Sequence, residues 1–196
     1  SQATAKHVKV ALSGLGGDEL FAGYPQFKLL KRAAQYDPLW RSIPNSARSI
    51  MATGANTIST ITRKQSLGGA VAFANDDFLG RYGRTRILFN ENAKANLLST
   101  HVKEDLGQMV SSRTVLERFV CADETEVIDR ITRLELKNYM AHTLLRDTDA
   151  MSMAHSLEVR VPLIDHKLVE LVTTISADLK LHRGQPKYLL VSALGD

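Results

Sequence analysis

A short run rich in glycine and acid, residues 13–19, constrains this chain more than any other stretch. An apolar run from Val8 to Leu12 leads into it, and a helix-compatible run, residues 20–24, follows it. A strand, a glycine turn and a helix in this order direct backbone N–H groups toward an anion. Glycine residues permit positive φ angles and let a ligand approach the backbone closely, and here they are Gly14, Gly16 and Gly17. The stretch therefore predicts an anion-binding turn at the end of a strand.

Two carboxylates, Asp18 and Glu19, are expected at the mouth of this turn. Amides beside carboxylates suit a phosphate that arrives with Mg²⁺, because this ion prefers oxygen ligands. The spacing matches neither of the two common nucleotide fingerprints, G-x-x-x-x-G-K-S/T and G-x-G-x-x-G. The turn alone is equally compatible with a structural role in which the acids only cap the next helix.

Composition narrows the classes of protein that this chain can represent. The 196 residues, 44% hydrophobic and 23% charged, are typical of one globular domain or one and a half. The net charge of +4 is mild, and the absence of long basic runs argues against nucleic acid as a partner. The sequence contains no apolar stretch of about 20 residues and no visible signal peptide, so we expect no membrane span and a cytoplasmic location. The single cysteine, Cys121, is expected to be a buried, inert thiol.

Hydrophobic spacing predicts that the chain is mostly helical, with one main strand. The run from Val8 to Leu12 is apolar almost throughout, which is typical of a strand covered on both faces in a parallel sheet. Helical spacing elsewhere predicts a helix that ends at Asp37 and Pro38 and a long amphipathic helix over residues 127–145. A capping box is expected at residues 123–126, and Asp165 is expected to cap a helix over residues 167–175. One parallel strand cannot stand alone, so the sequence is interpreted as part of something larger.

Two further stretches mix charged groups with apolar ones. Residues 144–165 place acids, arginine, histidine and serine among core-type residues, which indicates either a salt-bridged helix end or the wall of an active site. Lys187 follows Pro186 and would lie at a helix N-terminus, where the dipole disfavours a cation. This position indicates either a bound anion that compensates the lysine or, taken alone, a surface lysine. His155 is expected to be a hydrogen-bonded structural residue. Arginines also cluster around Gly83 and are expected to form a solvated basic loop, with phosphate binding as the alternative: Arg81, Arg84 and Arg86.

Taken in order, three of these stretches resemble the synthetase domain of glutamine-dependent asparagine synthetases, a family whose relatives include β-lactam synthetase. Residues 13–24 (SGLGGDELFAGY) are similar to the family's second nucleotide loop. Residues 149–165 (DAMSMAHSLEVRVPLID) are similar to its long signature segment, and residues 184–190 (GQPKYLL) to its lysine motif. The resemblance covers nearly all of residues 1–196 and implies the α/β fold of the adenine-nucleotide α-hydrolase-like (PP-loop) synthetases.

The resemblance also implies an activity. In this family ATP·Mg²⁺ adenylates the side-chain carboxylate of aspartate, and ammonia from glutamine displaces AMP to give asparagine. A site of this kind must stabilise the charge on pyrophosphate and on the α-phosphoryl group. The resemblance assigns Lys187 to the α-phosphate and Asp18 to Mg²⁺. It further assigns four residues to the nucleotide, Ser13, Gly14, Gly16 and Gly17, and five to the shaping of the site, Glu19, Asp149, Ser152, Glu158 and Arg160.

The departures from the family pattern lead to further expectations. The family's first nucleotide loop and its glutaminase domain are not found in this sequence, so the chain is interpreted as a fragment that binds ATP poorly alone. Leu15 stands where well-known members often carry an acid, which leaves open a relative that amidates another carboxylate. A catalytically silent helical interaction module is a second alternative. An exposed apolar strand edge would favour self-association, and a homodimer is possible.

Overall fold

The structure is a computed structural model that describes residues 1–62, 66–89, 91–106, 111–121 and 126–195. The described strands are β1 (Val10–Leu12) and β2 (Glu158–Arg160). A π-helix spans Glu135–Leu144, and short 3-10 turns span Pro162–Ile164 and His182–Gly184. The α-helices are, in chain order, α1 (Gln2–Ala5), α2 (Gly17–Leu20), α3 (Pro25–Ser42), α4 (Asn45–Thr62), α5 (Ser66–Asn75), α6 (Phe78–Arg86), α7 (Glu91–Leu97), α8 (Thr100–Leu106), α9 (Ser112–Glu117), α10 (Val127–Leu134), α11 (Leu145–Met153), α12 (His166–Thr174), α13 (Ala177–Lys180) and α14 (Tyr188–Leu194).

The chain divides into two compact units. Unit 1 comprises residues 1–28 and 119–196, and unit 2 comprises residues 29–118. Unit 1 therefore contains all three stretches on which the family resemblance rests, and unit 2 contains the helical middle of the sequence. None of the helices within the described ranges combines the length and the apolarity that a membrane crossing requires.

The two strands of unit 1 pair in parallel. Val10 lies opposite Glu158 and Leu12 opposite Arg160, and the Ser13 N–H donates to the Arg160 carbonyl at 2.8 Å. The mostly helical content and a strand within residues 8–12 are confirmed, although β1 is shorter than the apolar run. The strand β2 was not predicted from the sequence. Its three residues are too few to show the apolar alternation of a strand, and the pairing with β1 is made by backbone atoms.

The expectation that β1 is covered on both faces is wrong for the described part of the chain. Val8, Val10 and Leu12 are 45%, 42% and 75% exposed. The apolar core of unit 1 lies elsewhere, where Leu20 and Phe21 pack with Val172 of α12. Strand composition indicates a tolerance for burial, but only neighbouring elements can supply the burial itself.

A long helical segment carries much of the core of unit 1. The helix predicted over residues 127–145 is confirmed, and it runs through α10, the π-helix and α11 to Met153. Its buried apolar side chains are Ile128, Ile131, Leu134 and Met140. The predicted capping box lies largely outside the described residues, and Glu126 is the N-cap position. The predicted cap at Asp165 is confirmed, since its Oδ1 accepts the Lys167 N–H at 3.0 Å.

An ion pair with a fully buried lysine connects two helices of unit 1. The Lys180 side chain of α13 is fully buried, and its Nζ lies 2.8 Å from Asp129 Oδ1 of α10. A buried ammonium group is tolerated only when it is paired, because its desolvation is costly. The pair therefore fixes α13 against α10. Cys121, in contrast to its expected burial, is exposed.

In unit 2, α3 does not end at Pro38 as the sequence predicts. The helix continues through the proline to Ser42. Arg41 donates to Asp37 one turn earlier, and Arg81 of α6 donates to the same carboxylate. These charged hydrogen bonds stabilise the helical segment around the backbone bond that proline removes.

The arginine cluster of unit 2 is also different from the expected basic loop. All three arginines lie on α6, and Arg81 is buried. Its guanidinium donates to the Phe73 and Ala74 carbonyls as well as to Asp37. Arg84 pairs with Asp76. Arg81 is thus a structural residue that joins α3, α5 and α6, rather than part of a solvated loop.

Candidate active site

The glycine loop, residues 13–17, lies at the carboxyl ends of β1 and β2. Ligands of α/β proteins bind at this edge of a parallel sheet. Gly16 has a φ of +95°, and a Cβ there would lie 2.2 Å from Ile164 Cγ2. The loop therefore packs closely against the 3-10 turn that follows β2. Gly14 is exposed and has open space where a Cβ would project, so this part of the loop is the side accessible to a ligand.

The amides of this loop are directed differently from the sequence-based expectation. The Leu15 N–H donates to Ser13 Oγ at 3.3 Å, and the Gly17 N–H donates to the Gly14 carbonyl at 3.3 Å. The Gly16 N–H donates to Glu19 Oε2 at 3.1 Å. Three loop amides thus hold the shape of the turn by internal hydrogen bonds, and a ligand would have to use its exposed side.

Glu19 faces the interior, not the mouth of the loop. Its side chain is almost fully buried, and besides the Gly16 amide it accepts the Tyr24 hydroxyl through Oε1 at 2.5 Å. The ring of Tyr24 packs edge-to-face on Tyr139 of the π-helix, with ring centroids 6.4 Å apart. The expectation of two carboxylates at the mouth is therefore wrong for Glu19, because its carboxylate finds its partners beneath the loop.

Asp18 is the carboxylate that remains at the surface, and it meets Lys187. The Lys187 Nζ lies 2.9 Å from Asp18 Oδ1, and both side chains are about a third exposed, 34% and 36%. The structure thereby brings together the glycine loop and the lysine motif, which are far apart in the sequence.

Lys187 occupies an unusual backbone position. It is the N-cap residue of α14, with a φ of +55°, and its N–H donates to the Phe21 carbonyl at 3.1 Å. A non-glycine residue in the left-handed region stores strain that surrounding contacts must offset, and such residues cluster at functional sites. The helix begins at Tyr188, so Lys187 lies at its N-terminus as expected and Pro186 lies before it. In this structure Asp18 supplies the negative charge that compensates the lysine at the helix N-terminus.

The signature segment contributes two charged side chains on β2, of which Arg160 is at the carboxyl end of the strand and Glu158 at its amino end. Glu158 and Arg160 lie on β2, and Arg160 Nε donates to Glu158 Oε1 at 2.7 Å. Both are more than half exposed. Because Arg160 pairs with Leu12, its backbone lies beside the start of the glycine loop.

The remaining candidates lie on or near α11. Asp149 is exposed, and its carbonyl accepts a hydrogen bond from the buried Ser152 hydroxyl at 3.3 Å. His155 is exposed in the turn that follows, where its N–H donates to the Ser152 carbonyl. The structure records no contact between these three side chains and the glycine loop within the described residues, so their roles stay predictions.

The donor set at the loop fits a magnesium ion held mainly by phosphate oxygens. No group of three or more histidine, cysteine or acidic residues that could hold a metal occurs in the described ranges. Mg²⁺ commonly binds through one or two carboxylates together with substrate phosphates and waters. Asp18, half-buried beside the loop, can supply such a carboxylate, whereas Glu19 cannot do so from its buried position.

Three supporting residues were missed by the sequence analysis: Gly23, Tyr24 and Tyr139. Tyr24 holds Glu19, Tyr139 supports Tyr24, and Gly23 lies beneath Asp18 and Lys187. Gly23 and Tyr24 fall inside the stretch that carries the family resemblance, which is the one signal that pointed to them. Nothing in the local sequence around Tyr139 distinguishes it from a core residue of an amphipathic helix.

The glycine loop lies at the carboxyl ends of two parallel strands, with Asp18 and Lys187 at its exposed side, an arrangement found in α/β proteins that bind ligands at this end of a sheet. The family model described as asparagine synthase matches residues 1–196, and the chain belongs to this family. Membership implies the PP-loop synthetase fold for the domain. No solved structure gives a significant match.

Curated relatives agree with this assignment. The chain is 31% identical over 188 residues to asparagine synthetase [glutamine-hydrolyzing] 1 of Bacillus subtilis (strain 168), which covers 96% of this chain and 28% of the relative. It is 51% identical over 51 residues to asparagine synthetase [glutamine-hydrolyzing] 3 of the same organism; this match covers 26% of this chain and 8% of the relative. It is also 25% identical over 203 residues to amidase chyE of Penicillium rubens, a match that covers 90% of this chain and 27% of the relative. The chain thus spans roughly a quarter of the length of the two relatives that match nearly all of it.

Proposed function

We propose that the protein containing this chain forms an amide bond at the expense of ATP, making asparagine from aspartate with ammonia derived from glutamine. The observation that carries the proposal is the meeting of Asp18 and Lys187 at 2.9 Å beside the glycine loop. Family membership and the names of the bacterial relatives support the choice of reaction.

The chemistry has two steps. The side-chain carboxylate of aspartate attacks the α-phosphorus of ATP, the bond to pyrophosphate breaks, and β-aspartyl-AMP forms. Ammonia then attacks the acyl carbon, AMP leaves with the bonding electron pair, and a proton is released. The first step concentrates negative charge on the α-phosphoryl oxygens and on pyrophosphate, so fixed cations at these positions lower the barrier.

The side chains at the loop are suited to this charge distribution. Lys187 would contact the α-phosphate with its ammonium group. Asp18 would hold Mg²⁺ on pyrophosphate, and the ion would supply Lewis-acid stabilisation there. The exposed Gly14 and the half-buried Ser13 before it would contact the nucleotide. Because Asp18 and Lys187 neutralise each other in this structure, Mg²⁺ bound to Asp18 would leave the lysine available for phosphate.

The lysine provides the sharpest test of the proposal. In the complete protein, Lys187→Ala should slow aspartate-dependent exchange of pyrophosphate into ATP by about 10²–10³-fold, the usual loss for one donor to a transition-state charge. Lys187→Arg should not restore the rate fully, because the two cations differ in shape and reach. Lys167→Ala, at an exposed lysine of α12, is the matched control. A wild-type exchange rate in Lys187→Ala would remove the lysine from the reaction.

A second candidate function is the amidation of another carboxylate. The observation that favours it is Leu15, which replaces the acid that well-known family members often carry in this loop. Exchange measured with a panel of carboxylates in place of aspartate distinguishes the two candidates. If neither aspartate nor any other carboxylate supports exchange and ATP·Mg²⁺ does not bind, the region is a catalytically silent module instead.

A further inference from the structure

The space next to Gly23 is already occupied by the two site residues. A Cβ added to Gly23 would lie 2.0 Å from Asp18 Oδ1 and 2.5 Å from Lys187 Cε. In proteins, a Cβ atom essentially never lies within 3.0 Å of a non-bonded heavy atom from another part of the chain. The ion pair in its observed position therefore requires glycine at this position.

The requirement is one of space and not of backbone conformation. Gly23 does not have a positive φ, in contrast to Gly16. Its N–H donates to the Asp18 carbonyl at 2.8 Å, and this bond holds the glycine beneath the ion pair. An alanine could adopt the same backbone, so the consequence of a methyl group depends only on what it touches.

The atoms that a methyl group would displace belong to the ends of side chains. The three nearest atoms are Oδ1 and Cγ of Asp18 and Cε of Lys187, and none is a backbone atom. Partly exposed side-chain ends can move at little cost to the fold. At Gly16 an added methyl would instead meet the body of the Ile164 side chain and add strain at a positive φ.

We propose that Gly23 is a positioning residue of the active site, which keeps open the space in which the Asp18 carboxylate and the Lys187 ammonium group meet. It thereby sets the separation between the carboxylate that would hold Mg²⁺ and the cation that would contact the α-phosphate. The inference rests on the proposed function, since it matters for catalysis only if these two groups act on ATP.

The test uses Gly23→Ala in the complete protein. Aspartate-dependent exchange of pyrophosphate into ATP should fall by about 10–10²-fold, since misplacement of a reacting group by an ångström can cost that much. The Mg²⁺ concentration needed for half-maximal exchange should rise, while the urea midpoint of unfolding should stay at the wild-type value. The matched control is Gly54→Ala in α4, where an added Cβ meets no atom within 4 Å, and it should leave the exchange rate and its Mg²⁺ dependence at the wild-type values.

A double-mutant cycle separates positioning from a general effect on the fold. In a Lys187→Ala background, Gly23→Ala should slow exchange much less than it does alone, because residues that act through one contact are not additive. Equal fold-losses in both backgrounds would overturn the proposal, and so would an unchanged exchange rate in Gly23→Ala.

A measurement independent of activity distinguishes this inference from the proposed function. Acetylation of Lys187 in the nucleotide-free protein, followed by mass spectrometry, should be faster in Gly23→Ala because the ion pair is broken. An unchanged acetylation rate would overturn the inference even if activity fell. A wild-type protein without exchange activity would instead refute the proposed function, and acetylation would then decide whether Gly23 sets the ion pair.

Discussion

Units 1 and 2 each contain an aspartate paired with a distant basic side chain, and the two pairs differ in what else the cation contacts. In unit 2, Arg81 is only 5% exposed, and it donates to two backbone carbonyls besides Asp37. In unit 1, Lys187 is partly exposed, and Asp18 is its one recorded ion-pair partner in the described part of the chain. The arginine is fixed by three acceptors, whereas the lysine can exchange its partner for a ligand.

The backbone shows the same contrast. Arg81 lies in the regular helix α6, where its position costs no strain. Lys187 has a φ of +55° and is held there by a hydrogen bond to Phe21. Strain retained at a partly exposed lysine is typical of a residue kept for its position and not for stability. Burial and the number of acceptors, rather than the presence of an ion pair, therefore distinguish Arg81 from Lys187.

The largest loss of stability is expected for substitution of Arg81. Arg81→Ala removes one of the two arginines that donate to Asp37 and the donor to the Phe73 and Ala74 carbonyls, and loss of one partner of a buried pair commonly costs about 3–5 kcal/mol. We expect a fall of about 3 kcal/mol in the free energy of unfolding, measured by urea denaturation. The control is Arg84→Ala on the same helix, whose pair with Asp76 is half-exposed and should contribute about 0–1 kcal/mol. Equal losses for both variants would contradict the structural role of Arg81.

A smaller loss of stability is expected in unit 1, where the buried Glu19 lies next to the partly exposed Asp18. Tyr24→Phe removes the hydroxyl that donates to the Glu19 carboxylate. Hydrogen bonds to charged groups contribute about 1.5–3 kcal/mol, so we expect a loss of about 1.5 kcal/mol in unfolding free energy. Faster hydrogen exchange of the Gly16 amide should accompany the loss, since Glu19 is its acceptor. Tyr36→Phe, at an exposed tyrosine, should change neither quantity.

The smallest effect concerns an exposed pair of unit 2. The hydrogen bond from Arg113 lowers the pKa of Asp77; burial opposes this shift, and the Gly80 amide adds to it. A folded-state pKa below the ordinary value of 3.8 contributes stability above that pH, and the contribution is lost as the pH falls through the folded-state pKa. Asp77→Asn keeps a side chain able to cap α6 but removes the charge.

We therefore expect Asp77→Asn to lower stability at pH 7 by about 0–1 kcal/mol, because both partners are about half exposed. The difference from wild type should shrink in urea titrations as the pH falls through the lowered folded-state pKa of Asp77, because the carboxyl then becomes protonated. A difference that persists at low pH would mean that the amide disturbs the cap of α6, and the ionic explanation would then be wrong.

The sequence predicted those features that depend on local chemistry. The glycine stretch predicted a strand followed by a turn and a helix, and β1 and α2 confirm it. The apolar spacing over residues 127–145 predicted a long helix, and Asp165 predicted a cap, since both signals depend on neighbours a few residues away. The resemblance in three ordered stretches also identified the family, which the match over residues 1–196 confirms.

The pairing of charged side chains with their partners depends on the tertiary structure. Pro38 predicts a helix end, yet α3 continues to Ser42, and Asp37 accepts hydrogen bonds from Arg41 of the same helix and from Arg81 of a separate one. In the sequence, Asp18 and Glu19 are two adjacent acids that nothing distinguishes. Folding buries Glu19 beneath the loop and leaves Asp18 with Lys187, because successive residues of a helical turn point in different directions. A hydrogen bond or ion pair between distant residues leaves no periodic trace in the sequence, so its existence is determined by the path of the folded backbone.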